Sequence, residues 1–330
     1  MRSDEMKQEL ITLVNNMQQK RVLVVGDLLL DKYIWGNVDR VSPEAPVAIV
    51  GVEKETYVPG GAANVTNNIV AIGGKTQLMG IMGNDKAKET FIKELEKRGV
   101  GTTHILVDEK RPTIQKIRIM AQQQQLLRVD HEDTSYVESR REEEFLAHLE
   151  AAKGSFDAII VSDYAKGVVT EGLMKGIIAF CKKNNVGLII DPKPKHKKFY
   201  AGASVITPNH KEACELAGVP VSNDDVQIFA IGKKIQQDLQ TNVILTRGEK
   251  GITAFENGQE PITITTTAKE VYDVTGAGDT VVAIASLALC AGATLAQAAT
   301  IANSAAGLVV GKLGTATVSA QEVVEAIQRM

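Results

Sequence analysis

The chain is expected to fold as an α/β domain: a mostly parallel central sheet covered by helices on both faces, with a small β-sheet projecting from it. Three observations carry that expectation. Short apolar runs without polar alternation recur at 21–26, 76–81, 157–161, 187–190, 204–206 and 242–245, as strands buried on both faces require. Helical patterns lie between most of them, at 61–72, 86–98, 136–152, 170–184, 211–217 and 226–239, the order of a parallel sheet with crossover helices. Two segments, about 33–57 and 113–130, switch to period two, with strand-formers such as Ile114, Ile117, Ile119 and Val129.

An amphipathic helix over about 5–19 opens the chain, and the strand 21–26 runs into the turn Gly26-Asp27. The run Gln122–125 between period-two stretches is read as a polar hairpin tip. Gly73-Gly74-Lys75-Thr76 mimics the end of a phosphate-binding P-loop. It has Ile69 where the first glycine belongs and leads from a helix to a strand, so it is read as a helix C-cap. Residues 280–311 carry no charge, yet Gly292, Gln297 and Asn303 break the run. Each half falls short of the ~20 apolar residues a membrane span needs, so two buried Ala-rich helices are expected.

With 330 residues, 44% hydrophobic and 23% charged, the chain has ample core, and no low-complexity linker divides it, so 1–330 is read as one domain. A net charge of −3 gives no basic surface for nucleic acid. The three scattered cysteines form no C-x-x-C pair, which suits a reducing cytoplasm and no cysteine-bound metal. The charged opening MRSDE is not that of a secretory signal.

The richest chemistry lies at Asp273-Val274-Thr275-Gly276-Ala277-Gly278-Asp279, leading into the apolar helix. A helix start offers unpaired N–H groups and a partial positive charge to an anion, and glycines let the anion reach the backbone. A carboxylate beside an anion site is repulsive unless it has work to do. Asp279 could be a plain N-cap, but taking a proton from a hydroxyl that attacks a phosphoryl group accounts for it in the longer string. Asp27 and Asp31 follow the first strand, where open α/β sheets bind ligands, and are placed to accept bonds from hydroxyls. No G-x-G-x-x-G follows that strand, which argues against a nicotinamide enzyme. Asn209-His210-Lys211-Glu212 has capping-box spacing at a helix start, and Pro59-Gly60-Gly61-Ala62-Ala63-Asn64 is a second glycine turn before a helix.

Together these strings resemble the PfkB/ribokinase family of sugar and nucleoside kinases over nearly the whole chain. The resemblance implies a ribokinase-like fold with ATP and Mg²⁺. The N–H groups of Gly276, Ala277 and Gly278 would form the anion hole and Asp279 would be the catalytic base. Asp31, Gly60, Gly61 and Asn64 would hold the sugar, and Asn209 and Glu212, with His210 and Lys211 between them, would order Mg²⁺ near the phosphates. Thr246, Gly248 and Gly251 of Thr246-Arg247-Gly248-Glu249-Lys250-Gly251 would lie by ATP. Asn303 is placed at the adenine edge or as a buried helical residue. Asp273, with backbone over 311–317, would form a monovalent-cation loop, for K⁺. The projecting sheet would be a lid over the sugar and the contact of a homodimer.

Three strings narrow the substrate: Asn37-Val38-Asp39-Arg40-Val41-Ser42-Pro43-Glu44-Ala45-Pro46, Ser162-Asp163-Tyr164-Ala165-Lys166-Gly167 and Asp191-Pro192-Lys193. They resemble the branch of the family that phosphorylates D-glycero-β-D-manno-heptose 7-phosphate at C1, for lipopolysaccharide precursors. Asn37, Arg40, Glu44 and Asp163 would then contact the sugar. A sugar phosphate needs cations at its distal end, and Arg40, Lys116, Arg118, Lys166 and Lys193 are the candidates. Lys116 and Arg118 could equally solvate a lid face, whereas Lys166 and Lys193 sit at strand ends. No H-x-G-H motif of a nucleotidyltransferase is present, so a separate adenylyltransferase is expected to act next. A kinase of another sugar phosphate, such as fructose phosphate, and a non-catalytic sugar or nucleotide sensor are the competing readings.

Overall fold

A computed structural model describes residues 2–122, 124–221, 224–266, 268, 271–312 and 314–330. In chain order the first half comprises α1 (Arg2–Met17), β1 (Arg21–Gly26), β2 (Leu28–Val41), β3 (Ala48–Gly61), α2 (Ala62–Ala71), β4 (Lys75–Met82), α3 (Lys86–Glu96), β5 (Gly101–Val107), β6 (Ile114–Ala121), β7 (Gln124–His131) and α4 (Ser139–Ala151). The second half comprises β8 (Ala158–Ser162), α5 (Glu171–Asn184), β9 (Gly187–Asp191), β10 (Val205–Ile206), α6 (His210–Ala217), α7 (Asp225–Leu239), β11 (Asn242–Thr246), β12 (Ile252–Phe255), β13 (Ile262–Ile264), α8 (Ala277–Cys290), α9 (Leu295–Val309) and α10 (Ala320–Gln328).

The main sheet has the order β13-β12-β11-β10-β9-β8-β1-β4-β5, parallel from β11 to β5 and antiparallel at the β12 and β13 edge. Side chains of β1 alternate between two cores. Val22 and Val24 pack with α2, α8 and α9, whereas Leu23 and Val25 pack with α4, α5 and α7. The fully buried strand runs of the sequence follow from this double covering. The uncharged stretch forms α8 and α9, broken at Gly292, whose φ is 95°. No helix among the described residues is long and apolar enough to cross a membrane. Gly73, at φ 93°, turns the chain from α2 to β4, so the false P-loop is a helix end.

Strand order reverses at β1, with β4 on one side and β8 on the other. A crevice opens there beyond the strand ends. The second sheet, β3-β2-β6-β7, rises from the same place. β2 leaves β1 after Asp27 alone, and β3 returns directly into α2, with Leu28 opposite Gly61. The lid strands are therefore longer than the expected 33–57. Their base is the buried run Leu28-Leu29-Leu30, whose apolar character hides any period-two signal. The expected hairpin tip joins β6 and β7, with Gln123 outside the described residues.

Candidate active site

Gly276 caps α8 with φ 82°, a left-handed conformation, and a Cβ on it would stand 2.8 Å from Asn64 Nδ2. A Cβ on Gly278 would meet no described atom within 4 Å, so among the described residues it opens onto space at the helix start. Asp279 follows, 7% exposed. Asn64 Nδ2 donates to one of its oxygens at 2.7 Å and the Tyr164 hydroxyl to the other at 2.9 Å. Burial pushes its pKa up to about 6, against the opposing pull of those two bonds and of Lys193. The Tyr164 phenol is held well above its usual range by burial and the Asp279 charge, so it stays a donor. A carboxylate ionised at neutral pH but basic enough to accept a proton is the result. Asn64 Oδ1 is buried without a hydrogen-bond partner among the described residues, open to accept from a ligand hydroxyl.

The lid base supplies the opposite wall. Asp31 is ion-paired with Arg118 and lies across from Lys116 on β6. A Cβ at Gly60 would overlap the Asp31 carboxylate, and one at Gly61, φ 63°, would overlap the carbonyl of Asp27. Those glycines therefore allow the chain to turn into α2 beside Asp31. Burial pulls the half-buried Lys116 ammonium below its ordinary pKa, and Lys166, Arg118 and Arg128 repel it further. The basic groups thus share one neighbourhood, next to a carboxylate close enough to influence Asp279.

Two clefts meet at the α8 start. One, of about 160 Å³, is lined by Tyr164, Asp191, Lys193, Asn209, Glu212 and Asp279 among others. The second, about 640 Å³, has a largely apolar wall from Val271, Val274, Val281, Ala306 and Val310, with Thr246, Gly248, Gly251 and Asn303 beside them. Thr246 and Gly278 line both. Gly251, at φ 81°, closes the turn after β11, where its Cβ would overlap the Ile264 carbonyl. Asn303 donates from Nδ2 to the Thr265 carbonyl at 2.8 Å. Asn209 and Glu212 form a capping box, with bonds of 2.9 and 3.0 Å, and Glu212 also pairs with Lys193.

Several expected residues lie elsewhere. Asp27 is fully buried and accepts the N–H groups of Tyr164, Lys166 and Val168 at 2.9–3.1 Å, so it ties β1 to the loop after β8 and has nothing left for a sugar. Asp163 is likewise fully buried, its oxygens taken by Ala165, His196 and Tyr200, and it is a wall residue rather than a sugar contact. Asn37, Arg40 and Glu44 are exposed at the far end of the lid. Arg40 is nine residues along β2 from Asp31, ~30 Å in an extended strand, so a single chain does not bring the two together. His210 and Lys211 are not among the described residues that line either cleft. Lys166 pairs with Glu132 at 2.6 Å. Asp273 accepts the N–H groups of Thr275 and Gly314 at 2.9 and 3.1 Å, joining two loops. Leu313, within the expected cation loop, lies outside the described residues. Sequence reasoning missed Tyr164, Asp191 and Arg128 as site residues. Tyr164 and Asp191 stood in strings quoted for the sugar, but contact across 115 residues leaves no local signal.

The model of the pfkB family of carbohydrate kinases matches residues 19–322. Similar curated proteins include the bifunctional protein HldE of Desulfatibacillum aliphaticivorans, 41% identical over 93% of this chain, and that of Geobacter sulfurreducens, 41% over 92%. The chain spans 63% and 62% of the length of these two relatives. Among solved structures, ribokinase of Arabidopsis thaliana complexed with ribose and ATP superposes with a TM-score of 0.74, at 19% identity, covering 94% of this chain and 99% of that one. Phosphofructokinase-2 of Escherichia coli in complex with potassium gives 0.77, at 15% identity, over 94% and 98%. These two share the ribokinase-like fold. With the family model spanning nearly the whole chain, the protein belongs to the pfkB family of carbohydrate kinases and is a sugar kinase.

Proposed function

We propose that the protein transfers the γ-phosphoryl group of ATP to the C1 hydroxyl of D-glycero-β-D-manno-heptose 7-phosphate, giving the 1,7-bisphosphate for lipopolysaccharide precursor synthesis. The observation that carries the reaction is the place of Asp279, buried where the two clefts meet with a pKa near 6. The adenosine of ATP occupies the larger cleft and its phosphates reach the α8 start. Asp279 takes the hydroxyl proton as the oxygen attacks phosphorus. The N–H groups of Gly276 and Gly278 stabilise the transferring group, that of Ala277 joining them only on leaving the Val274 carbonyl to which it donates at 3.2 Å, and ADP departs. A phosphorylated sugar is favoured over a neutral one by Lys116, with Arg118, Arg128 and Lys166 near it, although these three also pair with Asp31, Asp130 and Glu132. The choice of heptose rests on the resemblance of the lid and loop strings, not on contacts of Asn37, Arg40, Glu44 or Asp163 with the sugar within one chain.

The smaller cleft also suits Mg²⁺. It gathers Asp191, Glu212 and Asp279 against Lys193 alone among the described cations lining it, and burial with those acids nearby holds Asp191 well above the carboxylate range. No described group of three or more acids, histidines or cysteines is spaced to hold a metal directly, so Asn209 and Glu212 would act through water. When bound, Mg²⁺ neutralises charge on the β and γ phosphates. Asp273 and the 314 loop are proposed to border a K⁺ site. The exposed lid residues Trp35, Val52, Leu127 and Val129 support a homodimer through the lid, and the setting is proposed to be the cytoplasm.

ADP release with Mg-ATP and a panel of heptose 7-phosphate, fructose 1- and 6-phosphates, ribose and adenosine tests the reading. Turnover on the heptose phosphate above all others is expected. Turnover on a fructose phosphate instead would retain the mechanism and replace the substrate, and silence on every sugar would favour a sensor.

A further inference from the structure

Asp163 follows the last residue of β8, and its carboxylate is used wholly inside the protein. One oxygen accepts the Ala165 N–H at 2.7 Å, and the other accepts the Tyr200 hydroxyl at 2.6 Å and faces His196 Nδ1 at 2.6 Å. His196 Nε2 lies 2.8 Å from the Tyr136 hydroxyl. Asp163, His196 and Tyr200 are each at most 1% exposed. A buried polar network of this kind is costly unless every member is satisfied, and when satisfied it fixes one geometry.

The network reaches the reacting groups by two routes. The Tyr200 oxygen accepts the backbone N–H of Lys193 at 2.9 Å. The Lys193 ammonium stands 5.7 Å from the centre of the Tyr164 ring and pairs with Glu212. Asp163 also holds Ala165 at φ 54°, a left-handed conformation unfavourable for alanine, directly after Tyr164. Tyr164 in turn bonds Asp279 at 2.9 Å. We propose that Asp163, His196 and Tyr200 are positioning residues whose network fixes where Lys193 and Tyr164 stand against Asp279. The inference rests on Asp279 being the base, and it extends the site to side chains that touch neither substrate.

Tyr200→Phe keeps the ring and removes the oxygen that the Lys193 N–H needs. In protein labelled with ¹³C at aspartate carboxyls, the Asp279 resonance, assigned by its absence in Asp279→Asn, should titrate near 6 in the unsubstituted chain. In Tyr200→Phe it should move up by about half a unit or more, because Lys193, whose charge lowers it, is no longer held in place. Asn64, Tyr164, Lys193, Asp31 and Asp191, which act on Asp279, and Glu212 in the same cleft all keep their identity in the substitution, so only their placement can move the titration. His196→Gln, which meets Tyr200 only through Asp163, should move it the same way by less. On whichever sugar the unsubstituted chain phosphorylates, kcat of Tyr200→Phe should fall about tenfold with both KM values within about twofold.

An Asp279 titration unmoved in Tyr200→Phe overturns the proposal, whatever happens to activity. The titration requires no substrate, so it decides the matter even if the sugar is a different one. Should Tyr200→Phe fail to fold, His196→Gln carries the test, and an unmoved titration there overturns it equally.

Discussion

Asp279 faces two demands that conflict. Burial at the α8 start raises its pKa to about 6 from 3.8, while Asn64, Tyr164 and Lys193 keep it ionised at neutral pH. kcat/KM should therefore rise with pH through about 6, and a pH–rate profile checks it. Asp279→Asn should lower kcat by about 10³-fold with the KM for ATP little changed. The same burial costs stability. A carboxyl whose folded pKa exceeds its unfolded value binds its proton more tightly when folded, so stability falls as pH rises from about 3.8 through about 6. That interval corresponds to about 3 kcal/mol, and losing one acceptor for the Asn64 or Tyr164 donor returns about 1. Asp279→Asn should thus be more stable than the unsubstituted chain by about 2 kcal/mol at pH 8, an advantage that denaturant titration should find gone at pH 4.

At the scale of elements, the turn into α8 and the lid base do the positioning. Gly276→Ala places a Cβ in a left-handed turn against Asn64 Nδ2, and should cost roughly 1–2 kcal/mol with at least about tenfold in kcat, read by melting and kinetics together. Arg118→Ala should raise the KM for the phosphorylated sugar about tenfold or more and leave that for ATP alone, because its partners are Asp31 and the lid. The main sheet was legible in the sequence because β1, β8, β9 and β11 are buried on both faces and read as unbroken apolar runs. β5, β12 and β13 were not expected: β5 is half-exposed, β13 mostly exposed and β12 only four residues long, so none presents a long run. The helix start at Asp279 and the capping box at Asn209 are local patterns and could be read directly. Partners such as Glu132 for Lys166, or Tyr200 for Asp163, are set by tertiary packing across 34 and 37 residues and leave no periodic trace.

For the whole molecule, the proposed dimer through the lid would make the assembly and the substrate one question. Its strands expose Trp35, Val52, Leu127 and Val129, and β7 is exposed along its whole length, an open edge that a second copy would cover. Sedimentation at micromolar concentration should find a dimer, and Leu127→Lys should shift it toward monomer. The reaction proposed for this framework is phosphorylation at C1 of a sugar already phosphorylated at its far end. ³¹P NMR of the product formed from heptose 7-phosphate and Mg-ATP decides it. A new anomeric phosphate signal should appear beside the retained C7 phosphomonoester, and should be absent with Asp279→Asn. A single unchanged phosphomonoester with active enzyme and another sugar phosphorylated in its place would contradict it.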